Sequence, residues 1–300
     1  GQTSSWRSGV ISGNMQHISA VGYYFARRLQ QELNVPVGMI GVYEGGTNAE
    51  EWTKKSIVAG MPDVNASYTD ASRPAGCLYN GMINPIIPYK VSGVIWYQGE
   101  NNVSRQGYYS KLLNAMVEGW RADFNDGQLP FYLVQLTSFS SDWKVFREIQ
   151  ENIAASMTNS GMVVTTDVGD NGDIHPKNKY PVGTRLGDLA LAKVYGKTDF
   201  TYSSPLFREV KREDSKMRVF FDYAEKGLKL TNGESPYYFE IAASDGVYRS
   251  AEARIEGNTI LVWSDQISEP ASVRYFWLDY GEPNLFTTDG YPVAPFRSKK

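Results

Sequence analysis

His175 lies in DNGDIHPKNKY, residues 170–180, two places after Asp173 and five after Asp170. An imidazole titrates near neutrality, and a neighbouring carboxylate fixes its tautomer and stabilises its charged form, so this pattern suits a proton acceptor. Two other loops offer complementary chemistry. Gly45 and Gly46, in EGGTN, let backbone N–H groups approach a ligand closely. Gln98, Gly99, Glu100 and Asn101 add a side-chain amide and a carboxylate. Backbone donors beside an amide suit negative charge developing on an oxygen; with a histidine they suit acyl transfer. Singly, each piece also reads as an ordinary loop. Asp-x-His is more often structural than catalytic, Gly-Gly often makes a tight turn, and Gln-Gly-Glu can be a satisfied polar turn. The second histidine, His17, precedes a helical pattern and reads as a surface or capping residue.

Shared placement gives the three loops their weight, because each follows an apolar run. VGMIGVY ends in EGGTN, VSGVIWY ends in QGENN, and GMVVTTDV runs into GDNGDIHP. LPFYLVQL is a fourth such run. Between them lie helical patterns: Val21, Phe25, Leu29 and Leu33; then Tyr109, Leu112, Leu113, Met116, Val117 and Trp120; then Phe146, Ile149, Ile153 and Met157. VGTRLGDLALAKVYG closes as a helix with a glycine stop. Continuous apolar strands alternating with amphipathic helices predict an α/β fold with a parallel sheet covered on both faces. Loops at the carboxyl edge of such a sheet meet where ligands bind.

The texture changes near FTYSSPL, residues 200–206. KMRVFFDYA, GLKLTN, YYFEIAAS, AEARIEGNTILVWSD and ASVRYFWLDY are short β-rich segments spaced by turns such as Glu256-Gly257-Asn258. The expected organisation is an α/β domain over residues 1–203 and an antiparallel β-rich domain over 204–300.

Composition narrows the function classes. A net charge of −3 without a basic run leaves no electrostatic footprint for nucleic acid. No apolar stretch approaches a membrane span, and GQTSSWRSG has no signal-peptide core. One cysteine excludes an internal disulfide, and with two histidines leaves too few ligands for the usual zinc sites, so neither metal nor cofactor is expected. The 20 tyrosines and 7 tryptophans fit a sugar-contacting surface, although core packing accounts for most of them.

VPVGMIGVYEGGTNAEEW, LYNGMINPIIPYKVSGVIWYQGENN and DIHPKNK together resemble the sialate O-acetylesterase-like branch of the SGNH hydrolases. LPFYLVQL, FREIQ and the ending YPVAPFRSKK fit the same pattern, so the resemblance spans roughly residues 17–300. It implies a flavodoxin-like three-layer α/β/α sandwich followed by the small β-domain. It implies hydrolysis of acetyl esters on sugars, on sialic acid or decorated polysaccharide, in a secreted or periplasmic protein. By similarity His175 is the base and Asp173 its orienting acid, with Asp170 the second choice. A glycine of Gly45-Gly46-Thr47 and Gln98 fall on the oxyanion positions, and Glu100 and Asn101 brace the loop or touch the sugar.

Two departures accompany this match. The family's Gly-Gln-Ser-Asn nucleophile block is absent, as is a Gly-x-Ser-x-Gly elbow. SGNMQ at 12–16 imitates the block with a deletion, but no strand precedes Ser12 to present it, and GQTSS has still less behind it. Three explanations stand: an N-terminal segment or another chain supplies the serine, the chain binds acetylated sugar without cutting it, or an unusual serine serves. The first is favoured, since a parallel sheet would otherwise lack a strand. The second departure is Glu44, whose carboxylate beside the oxyanion loop either repels developing charge or points to solvent or the next helix. Glycosidase chemistry through Glu44 and Glu100 ranks last, because nothing in their spacing demands it.

Overall fold

The computed structural model describes residues 18–298. Ser12, the SGNMQ stretch, GQTSS and His17 therefore lie outside the described residues. A three-stranded parallel sheet, order β1-β2-β3, forms from β1 (Val94–Trp96), β2 (Phe131–Val134) and β3 (Ser160–Val163). Side-chain alternation sorts its two faces. Trp96, Phe131, Leu133 and Met162 join one core cluster, Tyr132, Val134 and Val163 another.

Helices cover both faces. α1 (Ala20–Leu33) has Ser19 at its N-cap, accepting from the Gly22 amide at 3.2 Å. Three short helices follow: α2 (Ala49–Trp52), α3 (Lys55–Ala59) and α4 (Pro62–Ser67). The long α5 (Gln106–Asp123) and α6 (Lys144–Ser156) fill the first cluster with Leu112, Leu113, Met116, Phe146 and Ile153. α7 (Tyr180–Tyr195) packs with α1 in the second cluster through Val182, Leu186, Leu189, Val21 and Leu29, and ends at Gly196 in the left-handed conformation, φ 69°. All four helices expected from the spacing are present. Trp52, Trp96 and Trp120 pack edge to face in the first cluster, so these aromatics are core.

One expected strand does not form. VGMIGVY, 37–43, carries no strand pairing; Tyr43 is 56% exposed, and no residue from Val35 to Tyr43 is buried. Its residues still pack toward the sheet, Val37 on one core cluster and Val42 on the other. A strand exists only by pairing, and among the described residues β1 is an edge with no neighbour beyond it.

The remaining strands are β4 (Leu206–Glu213), β5 (Lys216–Asp222), β6 (Leu228–Leu230), β7 (Phe239–Ala242), β8 (Arg249–Ser250), β9 (Glu252–Glu256), β10 (Thr259–Trp263), β11 (Ser272–Tyr275), β12 (Leu285–Thr287) and β13 (Phe296–Arg297). They build sheets of order β4-β5-β10-β9 and β13-β11-β7-β8, plus a β12-β6 pair. The β9–β10 turn carries Gly257 at φ 64°, as the Glu-Gly-Asn pattern predicts. β4, which begins where the expected domain junction at 200–206 ends, is an eight-residue strand with no fully buried position. Phe239, Ile241, Val219, Ile260, Val273 and Tyr275 form a core of their own.

Candidate functional site

Because β1, β2 and β3 run parallel, the loops after them emerge on one edge. Hydrogen bonds join the loop after β1 to the 44–48 turn. The Gln98 Nε2 donates to the Thr47 carbonyl at 3.0 Å and to Asn102 Oδ1 at 2.8 Å, and Tyr109 OH donates to Gln98 Oε1 at 3.1 Å. Asn102 Oδ1 also accepts from the Ala49 amide at 2.9 Å, and its Nδ2 donates to Glu50 at 2.9 Å. Lys179 reaches back from the His175 loop to the Tyr97 hydroxyl at 3.3 Å, with its ammonium 4.9 Å from the ring centre. The three sequence-distant loops thus share one rim.

The candidate residues differ in how they sit there. Gln98 is buried, and both hydrogens of its amide are engaged, so it fixes the Gly45-Gly46-Thr47 turn. Gly45 and Gly46 are exposed, and a side chain built on either would meet open space; Gly46 holds φ 67°. Their backbone is accessible to a ligand. Glu44 pairs with Arg73 at 3.6 Å, which draws its carboxylate toward a cation. Asn101 is exposed, whereas its neighbour Asn102 is buried in the hydrogen-bond net.

His175 has a side chain 86% exposed. Asp173 Oδ1 accepts from the His175 backbone amide at 2.8 Å and stands 3.8 Å from Nδ1, beyond hydrogen-bond range. Asp170 accepts from the Gly172 amide at 2.8 Å. Among the described residues no hydroxyl bonds the imidazole; Ser140 donates to Asn171 on the same loop. Burial pushes the Glu100 carboxyl up, opposed by the Gly99 and Glu100 amides and by the charges of His175 and Lys179. Burial also lowers the Lys179 ammonium, opposed by Glu100 and Asp173. Glu100, Asp173, His175 and Lys179 therefore share one electrostatic environment.

Several members escaped the sequence reading. Glu50 and Glu51 are both buried, and Glu51 accepts from the Asn48 amide at 2.9 Å in a capping box. The Asn-x-x-Glu spacing of NAEE signalled that box. Arg105 bridges Glu50 and Asn48 at 3.3 and 2.8 Å. Nothing local in the sequence marked Arg105 or Lys179, whose partners are 55 and 82 residues away. Among the described residues, no group of three or more metal-ligating side chains gathers.

Residues 8–192 match the family model described as carbohydrate esterase, sialic acid-specific acetylesterase. The human sialate O-acetylesterase is 33% identical over 222 residues, 65% of this chain and 42% of that protein. The rat sialate O-acetylesterase is 30% identical over 254 residues, 66% of this chain and 47% of that protein. A crystal structure of a carbohydrate acetylesterase from Xanthomonas citri superposes with a TM-score of 0.86 at 34% identity, covering 96% of this chain and 66% of that one. This chain spans less than half the length of those mammalian relatives.

Proposed function

We propose, for a chain that belongs to the carbohydrate esterase family of sialic acid-specific acetylesterases, that it forms the base and oxyanion portion of a site hydrolysing O-acetyl esters on carbohydrate. One observation carries this reading: Gln98 and Lys179 hydrogen-bond the 44–48, 97–102 and 173–179 segments into one rim at the carboxyl edge of the parallel sheet. A serine hydroxyl attacks the acetyl carbonyl while His175 takes its proton. The oxyanion is met by the exposed Gly45 and Gly46 amides, with Gln98 holding their turn from behind. Collapse breaks the bond to the sugar oxygen, which leaves with the proton from His175; water, activated by the same imidazole, then releases acetate. Asp173 orients the ring. Their 3.8 Å separation closes by rotation of an exposed side chain, and catalytic hydrogen bonds commonly tighten only around substrate. Glu100 and Asn101 flank the sugar.

The serine arrives on an upstream segment or a second chain that adds a strand along the edge of β1 that no described strand occupies. A parallel strand there would end beside the 44–48 and 97–102 loops, and would complete a flavodoxin-like three-layer sandwich of the SGNH hydrolase type over residues 1–203, with 204–300 as the β-rich domain. A periplasmic or secreted location goes with this reading. No metal or other cofactor takes part in the scheme.

A second reading, a carbohydrate-binding protein that does not cut, is favoured by one observation: no described hydroxyl bonds His175. Acetate release from O-acetylated sugar and from p-nitrophenyl acetate separates the two. The esterase reading expects turnover that His175→Ala lowers by about a thousandfold or more; undiminished turnover in that variant removes His175 as base. Sugar affinity without acetate release, in the longest natural form of the chain, selects the second reading.

A further inference from the structure

A loop of the β-rich part is fastened to the α/β layers beside the His175 loop by a group of hydrogen bonds. Ser138 Oγ donates to the Gly281 carbonyl at 2.9 Å and accepts from the Gly281 amide at 2.8 Å. Phe139 N donates to the Asp279 carbonyl at 3.1 Å, and Lys144 reaches the Asp279 carboxylate at 3.1 Å. Arg147, fully buried in α6, spans the Thr137 and Leu278 carbonyls. The same 138–140 stretch carries the loop that leads to His175. A side chain on Gly169 would collide with the Ser138 carbonyl, and Ser140 bonds Asn171. Two loops distant in the sequence are thus seated on one short segment.

This fastening presents aromatic and acidic groups. Tyr238 is 38% exposed and packs edge to face on Phe276 at 5.3 Å. Its hydroxyl accepts from the Glu282 amide at 3.4 Å, and Tyr280 OH donates to the Glu282 carboxylate at 3.3 Å. Tyr238 and Phe276 both hold positive φ, 62° and 50°. Bulky residues rarely adopt that backbone, and its cost persists where surrounding structure enforces it, commonly at binding sites. Tyrosine supplies a rigid apolar face with a polar tip, which matches the C–H faces and hydroxyls of a pyranose ring. The charge is acidic: Glu282 and Asp170 both act on the Tyr280 phenol, so an anionic sugar would be repelled.

We propose that Tyr238, Tyr280 and Glu282 form a subsite beside the His175 loop that takes a neutral sugar unit of an oligosaccharide, next to the unit bearing the acetyl ester. The role as a neighbour to ester cleavage rests on the function proposed above; sugar binding by the rim does not.

Calorimetric titration with a neutral oligosaccharide, its O-acetylated monosaccharide unit and a sialylated oligosaccharide of equal length tests the subsite. The wild type is expected to bind the neutral oligosaccharide about tenfold more tightly than either other sugar. Tyr280→Ala erases that advantage and leaves monosaccharide affinity unchanged, whereas Tyr280→Phe, which keeps the ring, retains most of it. Glu282→Gln narrows the preference for neutral over sialylated sugar without disturbing the fold. Wild-type affinity for the oligosaccharide in Tyr280→Ala, or equal affinity of the wild type for all three sugars, overturns the proposal. Rim binding that depends on Tyr280 without acetate release refutes the esterase reading alone; acetate release that depends on His175 with no oligosaccharide preference refutes the subsite alone.

Discussion

The two sides of the parallel sheet are built from similar residues and end in different states. On one side, Phe131–Val134 and Ser160–Val163 are buried at every position. On the other, β1 is only partly covered at Val94 and Ile95, and 37–43, equally apolar, forms no strand. Strand pairing is not the whole difference, because β1 and β3 each have one strand neighbour among the described residues. Helix cover is: α6 and α7 both pack on β2 and on β3, and neither packs comparably on β1. The 37–43 run has no strand neighbour among the described residues. An apolar sequence states that a segment can be a strand; only a partner makes it one.

Amide hydrogen exchange offers the widest test of this contrast. Val94 donates to the Pro130 carbonyl at 2.8 Å, so the next amide, Ile95, faces the edge that no described strand occupies. Ile95 N–H is expected to exchange at least about 10⁴-fold faster than amides in β2, which exchange only through global opening. Slow exchange at Ile95 in the isolated chain would show that the edge is already occupied; slowing after an upstream serine-bearing segment is supplied would locate that segment.

Truncations should repeat the contrast in stability. Leu133→Ala, at a fully buried position, is expected to cost about 3 kcal/mol by denaturant unfolding, and Ile95→Ala roughly 1 kcal/mol or less. Equal costs would mean that the β1 side is as closed as the other.

Glu151 reports on the finished side from α6. Burial, with the nearby Glu148, pushes its carboxyl up to about 7 from 4.5. The folded state then holds a proton that the unfolded chain has released, so stability falls as pH rises from 4.5 to 7 and levels off above. Glu151→Gln should recover on the order of 1 kcal/mol at pH 8 and nothing at pH 4. A pH-independent difference would place the carboxylate in solvent.

The smallest effect belongs to the turn that ends the open run. Gly46→Ala meets no atom within 4 Å but must hold φ 67°, and is expected to cost about 0.5–1 kcal/mol in thermal unfolding. A neutral result would mean that the turn relaxes freely, and that Gln98 does not hold it.

Periodicity and turn chemistry by themselves determined the four long helices α1, α5, α6 and α7, the inner strands, the β9–β10 turn and the run of short strands after residue 215. These features are local: spacing of apolar side chains and the conformational freedom of glycine act within a few residues. The sequence also put Gln98, Glu100 and His175 in loops that follow strands, which a parallel sheet gathers on one edge, whereas Gly45 and Gly46 follow a run that stays unpaired and are held to that edge by Gln98. Tertiary structure alone decided the rest. It left 37–43 unpaired, engaged both hydrogens of the Gln98 amide, drew Lys179 onto Tyr97, and seated Tyr280 beside the His175 loop through Ser138 and Gly281. The bonds from Gln98 to Thr47, Lys179 to Tyr97 and Ser138 to Gly281 join groups 51, 82 and 143 residues apart, and contacts at that separation are fixed by how layers pack rather than by any local pattern of residues.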